Sequence, residues 1–168
     1  MKPRGVRKRV VIQPGDVQGS WPGIRVTLIV PAGAKQPVPA FVGMHLFDST
    51  SDEPVPGKLL GDDVPDAGKD LPGKRLLEVI LARGYAIGTL DAKDFCPDDA
   101  ATFREGALAT LAPDRSGPPG PEEGGAISTW AWALSRALDY FETDPQIDAK
   151  RVTVIGHSRM GKTALWAG

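Results

Sequence analysis

Cysteine is almost missing: Cys96 is the single one among 168 residues, which excludes an intrachain disulfide and a cysteine-based metal cluster. An excess of charge is missing too. Twenty Lys and Arg stand against 21 Asp and Glu, for a formal net charge of -1, so nothing points to nucleic acid or an anionic membrane as partner. The one basic cluster, Lys2 to Arg9, reads as a solvated edge, because the rest of the chain supplies no basic stripe. No apolar run approaches the roughly 18 residues needed to cross a bilayer. Met1 does not lead into an apolar stretch, so no secretory signal is visible. No internal repeat occurs.

What remains is the composition of one ordinary soluble domain, 41% hydrophobic and 24% charged, long enough to bury a core. Strand and helix signals alternate. Val6 to Ile12 and Ile24 to Val30 read as strands, the second closed by Pro31-Ala32-Gly33. Val38 to Phe47 is a further apolar run of strand length. Leu71 to Arg83 reads as a helix with Leu76, Leu77, Ile80 and Leu81 on one face and Gly84 as its stop. Tyr85 to Leu90 returns as a strand.

From Asp91 to Gly125 the chain is mostly loop, acidic at first and rich in Pro and Gly from Pro113. A connection of this length suits a groove wall or a solvated excursion. Within it, Cys96 has no neighbour that would lower its pKa, and a plain thiol is expected. Ile127, Trp130, Leu134, Leu138 and Phe141 then recur at helical spacing. Glu122 and Glu123 suit the positive end of that helix, and Pro145 ends it. Trp130 belongs to its core face. Trp132, two residues on, is left open between packing and sugar stacking. Arg151 to Ile155 is a short β-branched strand, and helix formers follow from Met160 to Ala167. The pattern predicts an α/β fold with a mostly parallel sheet, whose chemistry collects at the C-terminal ends of strands.

Residues 156 to 163, Gly-His-Ser-Arg-Met-Gly-Lys-Thr, lie at such an end and satisfy two patterns. One is a nucleophile elbow presenting Ser158; the other is the G-x-x-x-x-G-K-T phosphate loop, with Lys162 and Thr163 as nucleotide ligands. Both need a strand before and a helix after. The bulky His157, Arg159 and Met160 disfavour a loop that wraps phosphates with backbone N–H groups. Gly156 suits the elbow, yet the usual second glycine is displaced from 160 to Gly161. Ser158 and Lys162, four residues apart, share one helical face.

The wider segment from Gly125 to Gly168 closely resembles the bacterial glucuronoyl esterases, carbohydrate esterase family 15, also called 4-O-methyl-glucuronoyl methylesterases. The fixed positions of the family's G-x-S-R-x-G-K signature are Gly156, Ser158, Arg159, Gly161 and Lys162, and the tract Ala82 to Ile87 also looks like the family. The resemblance implies an α/β-hydrolase fold, with residues 1–168 an incomplete esterase domain ending just after the nucleophile elbow. It implies a serine carboxylic-ester hydrolase acting on glucuronoyl esters that join xylan to alcohols such as those of lignin, with no cofactor and no metal. Ser158 would attack the carbonyl, Arg159 would help hold the oxyanion, and Lys162 would bind hydroxyl groups of the uronic acid. Relatives often carry Asn at the His45 position and Gly at Asp48; no direct role is expected for His45. His157 stands where fungal members carry cysteine, and a packed position beside the turn is expected for it. Members of the family are usually exported.

A serine esterase also needs a histidine base and a carboxylate, which in this fold follow the serine. Ten residues follow Ser158, with no His, Asp or Glu among them. The 168 residues alone are therefore expected to be inactive. An acetyl- or feruloyl-xylan esterase, a nucleotide-binding P-loop protein and a dead gene fragment are the competing expectations.

Overall fold

Runs of β-branched and aliphatic residues, which fit a pleated and buried surface, build a five-stranded sheet in the computed structural model. The structure describes residues 5–13, 15, 21, 23–47, 73–111, 120 and 123–168. Lys2 to Arg4, Asp48, the start of the expected helix at Leu71, the side chain of Leu76, the Pro-rich tract 112–119 and Glu122 lie outside them. The strands are β1 (Gly5–Ile12), β2 (Ile24–Pro31), β3 (Val38–Met44), β4 (Ala86–Leu90) and β5 (Ile147–Val154). Their spatial order is β1-β2-β4-β3-β5. β4 pairs parallel with β3 and β3 with β5, while β1 and β2 join antiparallel at the other side. The sheet is therefore mixed, its parallel part confined to the three strands separated by helices. Strands β2 and β4 are buried nearly throughout, as expected for interior strands covered on both faces.

Helix α1 (Gly73–Ala82) covers one face of the sheet, packing Leu77 and Leu81 against Ile29, Ile87, Leu46 and Phe47. It ends where predicted. Gly84 adopts φ +81°, its N–H bonds Leu81 O, and the N–H of Tyr85 bonds Ile80 O at 3.1 Å. That pair of reverse bonds is a Schellman close, which needs a left-handed residue. A short helix α2 (Ala107–Leu111) and a single 3-10 turn (Ala92–Asp94) interrupt the expected loop.

The opposite face carries α3 (Ala126–Thr143). Trp130, Leu134 and Phe141 are buried as expected, but Leu138 is 36% exposed. Ala133 and Ala137 take the sheet-facing positions instead, because small residues let the helix axis approach the strands and leave Leu138 at the rim. Phe141 fills the space over Gly88, where a Cβ would come within 2.9 Å of its ring. Trp132 is a packing residue: its ring lies 6.3 Å from that of the buried Trp21, and the Arg136 guanidinium stands over it. Helix α4 (Arg159–Ala167) packs beside α3. No helix among the described residues is long and apolar enough to cross a membrane.

The C-cap of α3 is tied to the far side of the sheet. Asp144, 5% exposed, receives Lys8 Nζ of β1 at 2.6 and 2.7 Å, the Tyr140 hydroxyl at 2.8 Å and the Gln146 N–H at 3.0 Å. Burial alone would raise its pKa, but these donors outweigh it and hold the carboxyl below its ordinary 3.8. The Tyr140 hydroxyl is pushed up to about 12 by burial and by the same carboxylate. A depressed carboxyl contributes stability that is fully present above its unfolded-state pKa and is lost as pH falls through its folded-state value. Chemical denaturation between pH 7 and 2 should therefore show stability falling from about pH 4 downward. Asp144→Asn should be less stable at neutral pH and show a flatter acid limb.

Candidate active site

The three parallel strands deliver their C-terminal ends to one edge of the sheet, the place where open α/β sheets form ligand crevices. A cavity of about 800 Å³ opens there. His45 enters from the end of β3, Ala92 and Lys93 from the end of β4, and His157, Ser158, Arg159 and Met160 from the end of β5, with Pro97, Asp98 and Asp99 completing the wall.

Ser158 sits at a sharp turn. It has φ +54° and ψ -124° and caps α4, which begins at the next residue. Backbone in that region costs an ordinary residue of the order of 1–3 kcal/mol. The turn is held from both sides. Ile155 extends the ladder with an N–H bond to Val42 O at 2.9 Å, and the N–H groups of Met160 and Lys162 bond His157 O and Ser158 O. Gly156 is obligatory here, since a Cβ would run into the Met160 carbonyl. At Gly161 a Cβ would lie 3.3 Å from Gly156 O. The close contact thus falls between 156 and residues 160–161, which is why the second glycine of the pattern can stand at 161 while Met160 turns to the cavity and core.

The same geometry overturns the phosphate-loop alternative. Helix α4 has already begun at Arg159, so Lys162 and Thr163 lie inside it. Thr163 is fully buried, and its hydroxyl donates to Arg159 O at 3.0 Å instead of facing a metal-bound phosphate. First-turn N–H groups of α4, that of Arg159 included, have no partner within the helix and suit developing negative charge beside Ser158.

Among the described residues, two non-glycine positions have left-handed φ, Ser158 and His45 (φ +54°), and both line this cavity. His45, given no direct role above, is thereby part of the wall. Its N–H bonds Leu90 O, its Nδ1 lies 3.7 Å from Asp91 Oδ1, and its Nε2 accepts from the Ala92 N–H at 3.4 Å. Its place at the end of an apolar run was the available signal. His157 is exposed and lines the cavity, not packed as expected. Lys162 is exposed and does not line this cavity, although its N–H closes the turn onto Ser158.

The acidic tract forms a fixed wall. Cys96 is buried; its thiol donates to Phe103 O at 2.9 Å, and its carbonyl accepts from the Trp130 indole at 2.7 Å. Trp21 donates its indole N–H to Asp94 O at 2.6 Å, and Arg25 pairs with the Asp94 carboxylate. Asp98 Oδ2, two residues past Cys96, stands 2.6 Å from Arg159 Nε.

A profile described as "Glucuronyl esterase, fungi" matches residues 83–168, a segment that holds the turn, both cavity-lining loops after β4 and β5, and α3. The chain belongs to the glucuronyl esterase family. Carbohydrate esterase MZ0003, from an unknown prokaryotic organism, is 33% identical over 97% of this chain. A 4-O-methyl-glucuronoyl methylesterase of Phanerochaete chrysosporium is 49% identical over 45 residues, 26% of this chain and 10% of its own length. Among solved structures, a glucuronoyl esterase from Solibacter usitatus superposes with a TM-score of 0.76 at 32% identity, over 98% of this chain. The α/β-hydrolase fold follows from that superposition. The chain spans about two-fifths of these relatives, 41% of the carbohydrate esterase and 44% of the Solibacter protein.

Burial, with the negative charge of Asp98, pushes the Cys96 thiol up to about 11, so the plain thiol expected from sequence becomes an inert one. Iodoacetamide at pH 8 should leave Cys96 unmodified in the folded protein and alkylate it fully in denaturant, as read by intact mass.

Proposed function

We propose that this glucuronyl esterase chain carries the nucleophile of a serine carboxylic-ester hydrolase acting on 4-O-methyl-glucuronoyl esters of xylan. The observation that carries the reading is Ser158, exposed in a strained turn between β5 and α4 and facing a cavity at the strand ends. Ser158 attacks the ester carbonyl. The oxyanion takes the Arg159 N–H and guanidinium, whose fixed charge matches the developing one. Lys162 binds a hydroxyl of the uronic acid, reaching from one turn along α4. His157 is unsuited as base, since adjacent side chains in such a turn diverge. The reading places the base and its carboxylate in the part of the relatives that this chain does not span, and residues 1–168 in one incomplete hydrolase domain.

The position of Lys162 outside the described cavity lining favours a second reading, an acetyl- or feruloyl-ester hydrolase of xylan, which needs no uronic-acid contact. Two variants of the full-length protein separate them. Ser158→Ala should lower turnover of a methyl glucuronate ester at least about 10³-fold, and retained activity refutes the nucleophile assignment. Lys162→Ala should raise KM for that ester about tenfold and leave simple acetyl esters unchanged. Equal effects on both substrates favour the second reading.

A further inference from the structure

The acid Asp98 stands beside Arg159 without having been assigned any part. We propose that Asp98 is a positioning residue for the Arg159 guanidinium in ester hydrolysis; this rests on the reading of Ser158 and Arg159 given above. The contact is an ion pair of 2.6 Å from Arg159 Nε to Asp98 Oδ2, and both residues line the cavity that Ser158 faces.

A surface pair of this kind adds little stability. Its members remain 63% and 37% exposed, and exposed pairs are weakened by solvent screening and by the entropy of holding two side chains in one geometry. Its effect is on freedom. Arg159 stands at the first position of α4 with four side-chain torsions and a largely exposed side chain, and fixing such a side chain costs rotamer entropy. If Arg159 were free, that cost would fall on the transition state. Asp98 meets it beforehand, because Asp98 is itself fixed. The Cys96 carbonyl is held by the Trp130 indole, the Cys96 N–H bonds Ala92 O at 2.8 Å, and Ala107 N–H bonds Phe95 O at 2.9 Å. A carboxylate two residues from such an anchor is a fixed post, unlike an acid on a free loop.

The shortest contact also falls on Nε, the guanidinium nitrogen nearest the side-chain stem. The terminal amino groups, which reach furthest from the backbone, are the ones a developing oxyanion would engage. Asp98 therefore orients the group from behind.

The test is a double-mutant cycle in the full-length protein on a methyl glucuronate ester, with Tm measured throughout. Asp98→Ala should lower kcat about tenfold while KM changes less than about threefold. Asp98→Glu should recover most of the loss, and Tm should move little in either variant. In the Arg159→Ala background, Asp98→Ala should change kcat less than about twofold. An equal loss in both backgrounds overturns the proposal, since Asp98 would then act independently of Arg159. A rise in kcat on Asp98→Ala also overturns it, showing that the carboxylate masks the guanidinium. Failure of the underlying reading looks different: Ser158→Ala would then retain activity whatever Asp98 does.

Discussion

Backbone meets backbone where β5 gives way to α4, and the candidate site depends on that contact. The chain reverses within four residues, from Val154 to Arg159, so the first turn of α4 lies against Gly156 with no room for a side chain. A second close approach supports it. A Cβ on Gly43 of β3 would run into Ile155 O, so the strand beside the turn is also bare of side chain at the point of contact. With two glycines removing the obstruction and the Ile155 N–H bonded to β3, Ser158 is left in a conformation that an isolated chain would abandon. The packing supplies the free energy that keeps the hydroxyl exposed at the sheet edge.

Around this turn the wall of the cavity is built from the core outward. Two tryptophans, Trp21 before β2 and Trp130 on α3, are buried by the hydrophobic effect and then use their indole N–H groups on carbonyls of the 91–106 loop. A buried indole needs an acceptor, and a loop carbonyl needs a donor. Each satisfies the other, and the acidic tract becomes fixed as a consequence. The same arrangement puts Asp98 opposite Arg159 and brings Asp91 near His45. Polar and apolar requirements of the interior thus set the electrostatics of the cavity rim.

Much of the fold was legible because it follows local rules. Strands β1 to β4 and the helices at 73–82, 126–143 and 159–167 fall where β-branched runs, helical periodicity, Gly84 and Pro145 put them, while β5 begins at Ile147, four residues before the β-branched run at Arg151. The apolar stripe of α3 was misjudged at Leu138, since large residues dominate a periodicity count while Ala133 and Ala137 make the close packing. The antiparallel attachment of β1 and β2 was not legible. Strand direction depends on which strands become neighbours, and no local signal encodes that.

By itself the sequence determined the chemistry available at 156–163: a glycine where no Cβ fits, a serine after it, and an arginine and a lysine on the helix that follows. Its bulky His157, Arg159 and Met160 favoured an elbow over a phosphate loop, although both share that spelling. Tertiary structure made the choice by starting α4 at Arg159 and burying Thr163. It also gathered what lies far apart in the chain. His45, Lys93, Asp98 and Ser158 share a cavity because parallel strands point their C-terminal ends the same way, a proximity created by long-range pairing and absent from any window of sequence.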